Sequence, residues 1–154
     1  MGETSPLEFR ALLPGLKSEL VEFFRAFANS EGSHWFHPHP FTPEEADKLC
    51  IYDGKDLYYV ALGGREVLAY GMLRGWDEGF AIPSLGIAVH PKVRGIGLGR
   101  AFMLFLHTAA RLYGAKQIRL KVYPENIAAV KLYELLGYRY GEKLEDQLVG
   151  YLDL

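Results

Sequence analysis

The sequence predicts an α/β protein with one mixed sheet and helices on both faces, in the order β-α-α-β-β-β-α-β-α-β-β. Three observations carry that expectation. Two strand-like runs, Leu57–Leu62 and Arg65–Arg74, meet at Gly63-Gly64 as a tight hairpin. A strand ending at His90 feeds a glycine-rich turn and a long apolar helix, and Gln117–Tyr123 follows as another strand, which requires a helical crossover. The length, 154 residues, suits a single domain spanning 1–154 with a real core.

Taken in chain order, residues 7 to 12 read as a short edge strand ended by Pro14-Gly15. Leu16 to Ala28 reads as a helix, because Leu16, Leu20, Phe23, Phe24 and Phe27 recur at helical spacing. Glu31 to Phe41 is irregular and rich in His, Trp and Pro. A second helix starts at Thr42-Pro43-Glu44-Glu45, with Thr42 as N-cap and Glu45 completing a capping box. After the hairpin and the loop Gly75–Gly79, a third strand runs to His90. The helix beyond it carries Leu98, Ala101, Phe102, Phe105, Ala109 and Leu112 as its apolar stripe and stops at Gly114. In Gln117–Tyr123, Ile118, Leu120 and Val122 share one face. Asn126–Leu136 is a helix stopped by Gly137, and Tyr138 to Leu154 forms a closing pair of strands.

Composition excludes several classes. A net charge of −2 gives no basic face for nucleic acid. No apolar run is long enough to span a bilayer, so no membrane partner is expected. The start, Met1-Gly-Glu-Thr-Ser-Pro, lacks a secretory pattern and the myristoylation signal, which points to the cytoplasm. Cys50 is the only cysteine, so the expectation is a free, buried thiol.

Chemistry concentrates first at Arg94-Gly95-Ile96-Gly97-Leu98-Gly99-Arg100. Glycines there let backbone approach an anion, and the next helix opens with unpaired N–H groups and a partial positive charge. Arg94 and Arg100 add charge where a pyrophosphate would lie. A Walker A loop is excluded because Arg100-Ala101 follows the last glycine. The dinucleotide fingerprint fails too, since it wants glycine where Arg100 stands and an acid in the next strand, which offers Arg119 and Lys121. What fits is Arg/Gln-x-x-Gly-x-Gly/Ala. In this motif, and in Asn126-Ile-Ala-Ala-Val-Lys-Leu-Tyr133-Glu-Leu-Leu-Gly137-Tyr138, the chain resembles the GNAT superfamily of acyl-CoA-dependent N-acyltransferases. The element order agrees along nearly the whole chain.

The resemblance implies acetyl-CoA as co-substrate, without a metal. It places the pyrophosphate on Arg94, Gly95, Ile96, Gly97, Leu98, Gly99 and Arg100. It places the pantetheine arm on main-chain groups of Ile87, Ala88 and Val89, in a strand that splays from its neighbour near a bulge. Asn126 and Tyr133 are seven apart and share one helix stripe, with Ala129 and Val130 leaving a groove between them. A phenol, with a pKa near ~10, keeps its proton at neutral pH and can pass it to a thiolate whose conjugate acid titrates near ~8.5. The resemblance makes Tyr133 the general acid.

One departure matters. Many relatives carry a glutamate near the start of the strand before the glycine turn, whereas this chain has Ile82-Pro83-Ser84. A lysine-like amine at ~10.4 costs about 4.6 kcal/mol to deprotonate at pH 7, an α-amine only about 1 to 1.4. A low-pKa acceptor, such as an amino sugar or sugar nucleotide, is therefore favoured. Substitute bases are Asp77, Glu78, His90, His37 and His39, with solvated turns and strand ends as the competing explanation.

The run His34-Trp-Phe-His-Pro-His-Pro-Phe41 has three readings. It could hold a metal on His34, His37 and His39, plug the core with aromatics, or form the acceptor site through Trp35, His37, His39 and Phe41. Its place between the first two helices favours the acceptor site by resemblance. The resulting expectation is an N-acetyltransferase acting by direct transfer. A protein N-terminal or lysine acetyltransferase and a silent acyl-CoA-binding domain are the alternatives, and the closing strands allow a homodimer.

Overall fold

The computed structural model describes residues 5–154; the N-terminal reading above falls largely on residues 1–4, outside the described residues. Seven strands form one sheet in the order β1-β2-β3-β4-β5-β7-β6: Leu7–Ala11, Leu57–Gly63, Glu66–Arg74, Ser84–Val89, Gln117–Val122, Arg139–Leu144 and Gln147–Asp153, numbered β1 to β7 in chain order. Every neighbouring pair is antiparallel except β4 and β5. The helices are α1 (Lys17–Ala28), α2 (Gly32–Trp35), α3 (Pro43–Cys50), α4 (Leu98–Leu112) and α5 (Ile127–Leu135). The mixed sheet expected from the sequence is present, with one helical turn, α2, added inside the segment read as irregular.

Two cores sandwich the sheet. On one face α1 and α3 press Leu20, Phe23, Phe24, Phe27 and Leu49 against Val60, Tyr70, Met72 and Ala88. On the other, α4 presses Phe102, Met103 and Leu106 against Ala69, Leu73, Ile118 and Leu120, and α5 adds Ala129, Val130 and Tyr133 at its margin. Cys50 is free and buried in the first core. No helix among the described residues is long and apolar enough to cross a membrane.

Local sequence explains the boundaries. The Thr42 hydroxyl accepts from the Glu45 N–H at 3.2 Å and starts α3; among the described residues the Glu45 carboxylate makes no return bond. At the end of α4, Gly114 takes φ +96°, its N–H reaching Arg111 O and the Ala115 N–H reaching Ala110 O, a Schellman cap.

Three expectations are corrected. The buried stripe of α4 is Leu98, Phe102, Met103, Leu106, His107 and Ala110; Ala101 is exposed and Leu112 is 85% exposed. The stripe is rotated toward His107, whose ring is tied to the buried Tyr138 hydroxyl at 2.8 Å. Strand β4 begins only at Ser84, since the Phe80 N–H turns back to Gly75 O at 3.0 Å and Pro83 has no N–H to give a ladder. The β3–β4 register is unbroken from Arg74↔Ser84 to Ala69↔Val89, so no bulge causes the splay of β4.

Candidate active site

The sheet opens between β4 and β5. These parallel strands share a single bridge, Ser84↔Arg119, with the Arg119 N–H on Pro83 O at 3.0 Å, and no register joins them beyond it. Main-chain groups along a strand alternate in direction. The His90 N–H bonds Leu68 O, so the even residues Ser84, Gly86 and Ala88 exchange bonds with β3. The N–H and C=O groups of Ile87 and Val89 consequently face the opening. Ala88, expected with them, is corrected: its main chain is taken by Tyr70. Gly86 serves a different approach from the one expected, because a Cβ there would meet the Phe36 ring at 2.8 Å.

At the wide end of the opening lies the glycine turn. Gly95 and Gly97 take φ +78° and +90°, and nothing stands within 4 Å of a Cβ at either. The first intrahelical bond of α4 is Ala101 N–H to Gly97 O, leaving the N–H groups of Leu98, Gly99 and Arg100 outside the helical ladder. The first turn has no acidic residue and contains Arg100, so the positive end of the helix dipole is uncompensated by the chain. Leu98 is buried as a core residue, Ile96 is exposed, and the exposed Arg94 lays its guanidinium over Gly32 of α2.

Tyr133 owes its position to the end of its helix. The Tyr138 N–H bonds Tyr133 O and the Gly137 N–H bonds Glu134 O, with Gly137 at φ +101°; this is a second Schellman cap. Such caps bring together the residues at the two ends of the motif, here the rings of Tyr133 and Tyr138 at 5.8 Å. Tyr138 Oη and His107 Nε2 are 2.8 Å apart and buried, which ties the cap to α4. Burial, with Tyr140 adding to it, pushes the Tyr133 phenol up to about 12. It keeps its proton across the neutral range. Asn126 is the residue before α5 and makes no side-chain cap bond.

The sequence profile described as the Acetyltransferase (GNAT) family matches residues 19–138. The chain belongs to the GNAT acetyltransferase family. The spermine/spermidine N(1)-acetyltransferase of Bacillus subtilis (strain 168) is 25% identical over 112 residues, 66% of this chain and 74% of that protein. The mycothiol acetyltransferase of Thermobispora bispora is 46% identical over 52 residues, 34% of this chain and 18% of that one. Among solved structures, the GNAT domain of S. lividans PAT superposes with a TM-score of 0.82 at 18% identity, covering 96% of this chain and 90% of that chain.

This acetyltransferase has a cleft of about 800 Å³ on the sheet face opposite α4. Trp35, Phe36, His37 and Pro38 roof it, and β3, β4, β5 and β7 floor it. Of the four residues expected to bind acceptor, Trp35 and His37 line this cleft, beside Tyr123 (Trp35–Tyr123 ring centroids 5.9 Å apart). His39 and Phe41 are corrected. His39 Nδ1–H donates to Pro40 O at 2.8 Å, and its Nε2 accepts from the Tyr70 hydroxyl at 2.9 Å. Burial lowers its pKa, and with Phe41 it packs on Phe24. A proline-bounded aromatic run thus serves both as plug and as roof.

The substitute bases separate in the same way. Asp77 accepts from the Tyr52 hydroxyl and the Lys55 N–H, a structural role. His90 Nδ1 accepts from the Lys92 N–H and starts the 3₁₀ turn Pro91–Val93. Glu78 and His37 line the cleft. Sequence reasoning missed Arg74 and Arg119 as cleft residues. Arg119 Nε is buried without a hydrogen-bond partner among the described residues, an arrangement costing about 1–3 kcal/mol.

Proposed function

We propose that this acetyltransferase moves the acetyl group of acetyl-CoA directly onto a small primary amine of low pKa. Acetyl-CoA supplies the activated acyl thioester. The observation that carries the reading is the divergence of β4 from β5 after one bridge, which leaves the Ile87 and Val89 main chain facing a gap. Those groups suit a pantetheine amide and a thioester carbonyl, where an N–H stabilises developing negative charge. The free N–H groups at the start of α4, with Arg100, suit the pyrophosphate. The acceptor enters from the cleft beneath Trp35 and His37.

The amine nitrogen bonds the carbonyl carbon as the C–S bond breaks. Tyr133 gives its proton to the departing thiolate, and the surplus proton of the new amide nitrogen restores the phenol through solvent. Ser84, where many relatives carry a carboxylate, leaves deprotonation to the amine itself and so favours an acceptor that is already partly free base at neutral pH. An amino sugar or its nucleotide meets that condition.

The test is CoA thiol release with a panel of amines, with the acetylated product weighed by mass spectrometry. The expected pH profile of kcat/KM rises once, along the acceptor's own pKa. An ascending limb in the carboxylate range that disappears in Glu78→Gln would overturn the base-free reading. Binding of acetyl-CoA with no release to any amine would overturn direct transfer.

A further inference from the structure

Three side chains on the floor of the cleft stand in one row across the sheet. The register pairs Arg74 of β3 with Ser84 of β4, and Ser84 with Arg119 of β5. Paired residues project to the same face, and adjacent strands lie about 5 Å apart, so the two arginines flank the serine at about 5 Å on either side of its backbone. All three line the cleft, as does Lys121, two residues on from Arg119 and on the same face. Against these cations the lining offers one carboxylate, Glu78.

The cations are uncommitted. Among the described residues neither arginine nor Lys121 forms an ion pair. Arg74 Nη1 reaches only Pro38 O at 3.4 Å and the Met72 sulfur at 3.8 Å. Arg119 Nε is buried and has no acceptor among the described residues. Two guanidiniums flanking a hydroxyl make a donor set for a planar or tetrahedral oxyanion, and a buried N–H without an acceptor is the mark of a missing partner.

We infer that Arg74, Ser84 and Arg119 form an oxyanion seat in the acceptor cleft, so that the acceptor amine also carries a carboxylate or a phosphate. This rests on the acetyl-transfer reading above and specifies its substrate class. It sets this chain apart from its spermine/spermidine relative: a polyamine is a polycation, and a cleft with this lining repels it. It also gives Ser84 a positive role, since a glutamate there would pair with the arginines and close the seat.

The experiment compares kcat/KM on acceptors matched in amine pKa: glucosamine against glucosamine 6-phosphate, alanyl-alaninamide against alanyl-alanine, whose carboxylate lies a residue away from the amine, and spermidine as the cationic member. The expected result is at least tenfold preference for the anionic member of one or both pairs, expressed in KM, with spermidine poorest. The phosphate pair and the carboxylate pair identify which oxyanion the seat takes. Arg119→Met and, independently, Arg74→Gln should each erase most of that preference while acetyl-CoA binding by calorimetry persists, which certifies the fold. Acetylation in which spermidine or the neutral members win overturns the oxyanion seat and leaves the transferase reading standing. A preference that survives both substitutions overturns it as well. Failure to acetylate any member, despite bound acetyl-CoA, overturns the transfer reading itself.

Discussion

The two faces of β4 are built on different principles. On the α4 side, the parts assigned to the donor beyond the β4 main chain come from two short runs, 94–100 and 126–138, and each is a helix end with its own closed geometry. Gly97 caps the start of α4, and Gly137 caps the end of α5 and fixes Tyr133 against Tyr138. On the other face the cleft collects Trp35 from α2, Arg74 from β3, Ser84 from β4, Arg119 from β5 and Tyr151 from β7. One face is specified by neighbours in sequence and the other by strand register. On the proposed reading, the first face holds the donor and the second selects the acceptor.

The sharpest way to break this comparison is at Tyr133. Removing a general acid costs on the order of 10² to 10⁴ in rate, so Tyr133→Phe should lower kcat by about 10²-fold or more while the acetyl-CoA Kd stays within about threefold. An unchanged kcat would move the acid elsewhere. Because burial holds this phenol at about 12, the wild-type kcat should show no descending limb from pH 8 to 10, where an ordinary tyrosine near ~10 would already be losing its proton. Steady-state rates across that range check it.

How much was legible follows from the same contrast. The glycine turn and the Asn126–Tyr138 segment could be read because a cap is a local event, written in the spacing of a few residues. Arg74, Ser84 and Arg119 could not, since only the register of three strands sets them side by side. The direction of the Ala88 main chain is hidden for the same reason: which way a main-chain amide points depends on the partner strand. His39 and Phe41 misled because an aromatic run bounded by prolines fits a core plug and a ligand wall equally well. The absent carboxylate at position 84 was visible in the sequence. What replaces it was not.

A smaller effect should appear at the link between α4 and the Tyr133 cap. Burial lowers the His107 pKa from its ordinary 6.5 to about 4, so the folded state holds it neutral beside Tyr138. Between those values the unfolded chain binds the proton more readily. The stabilisation is therefore complete above pH 6.5 and is lost as pH falls through about 4, roughly 3 kcal/mol in all. Thermal unfolding should show Tm declining across that window, with a shallower decline in His107→Gln; His39 and His90, also lowered by burial, add to it, and Glu19 and Asp77, lowered chiefly by their hydrogen bonds, add at its acid end. An unaltered slope in the variant would show that His107 does not titrate with unfolding.

The smallest expected effect tests whether the cleft face can be disturbed alone. Asp56 does not itself line the cleft; it acts from behind by holding the N–H groups of Gly75, Trp76 and Asp77, which sets the loop carrying Glu78 and Phe80 into the wall. Asp56→Asn keeps an acceptor oxygen but removes the charge that strengthens those bonds, a loss of about 1–2 kcal/mol. Part of that loosening reaches the cleft wall, so the acceptor KM should rise a few-fold while the acetyl-CoA KM and kcat at saturation stay put. Equal changes in both KM values would mean that the two faces of β4 are mechanically coupled, and the division of labour drawn here would fail.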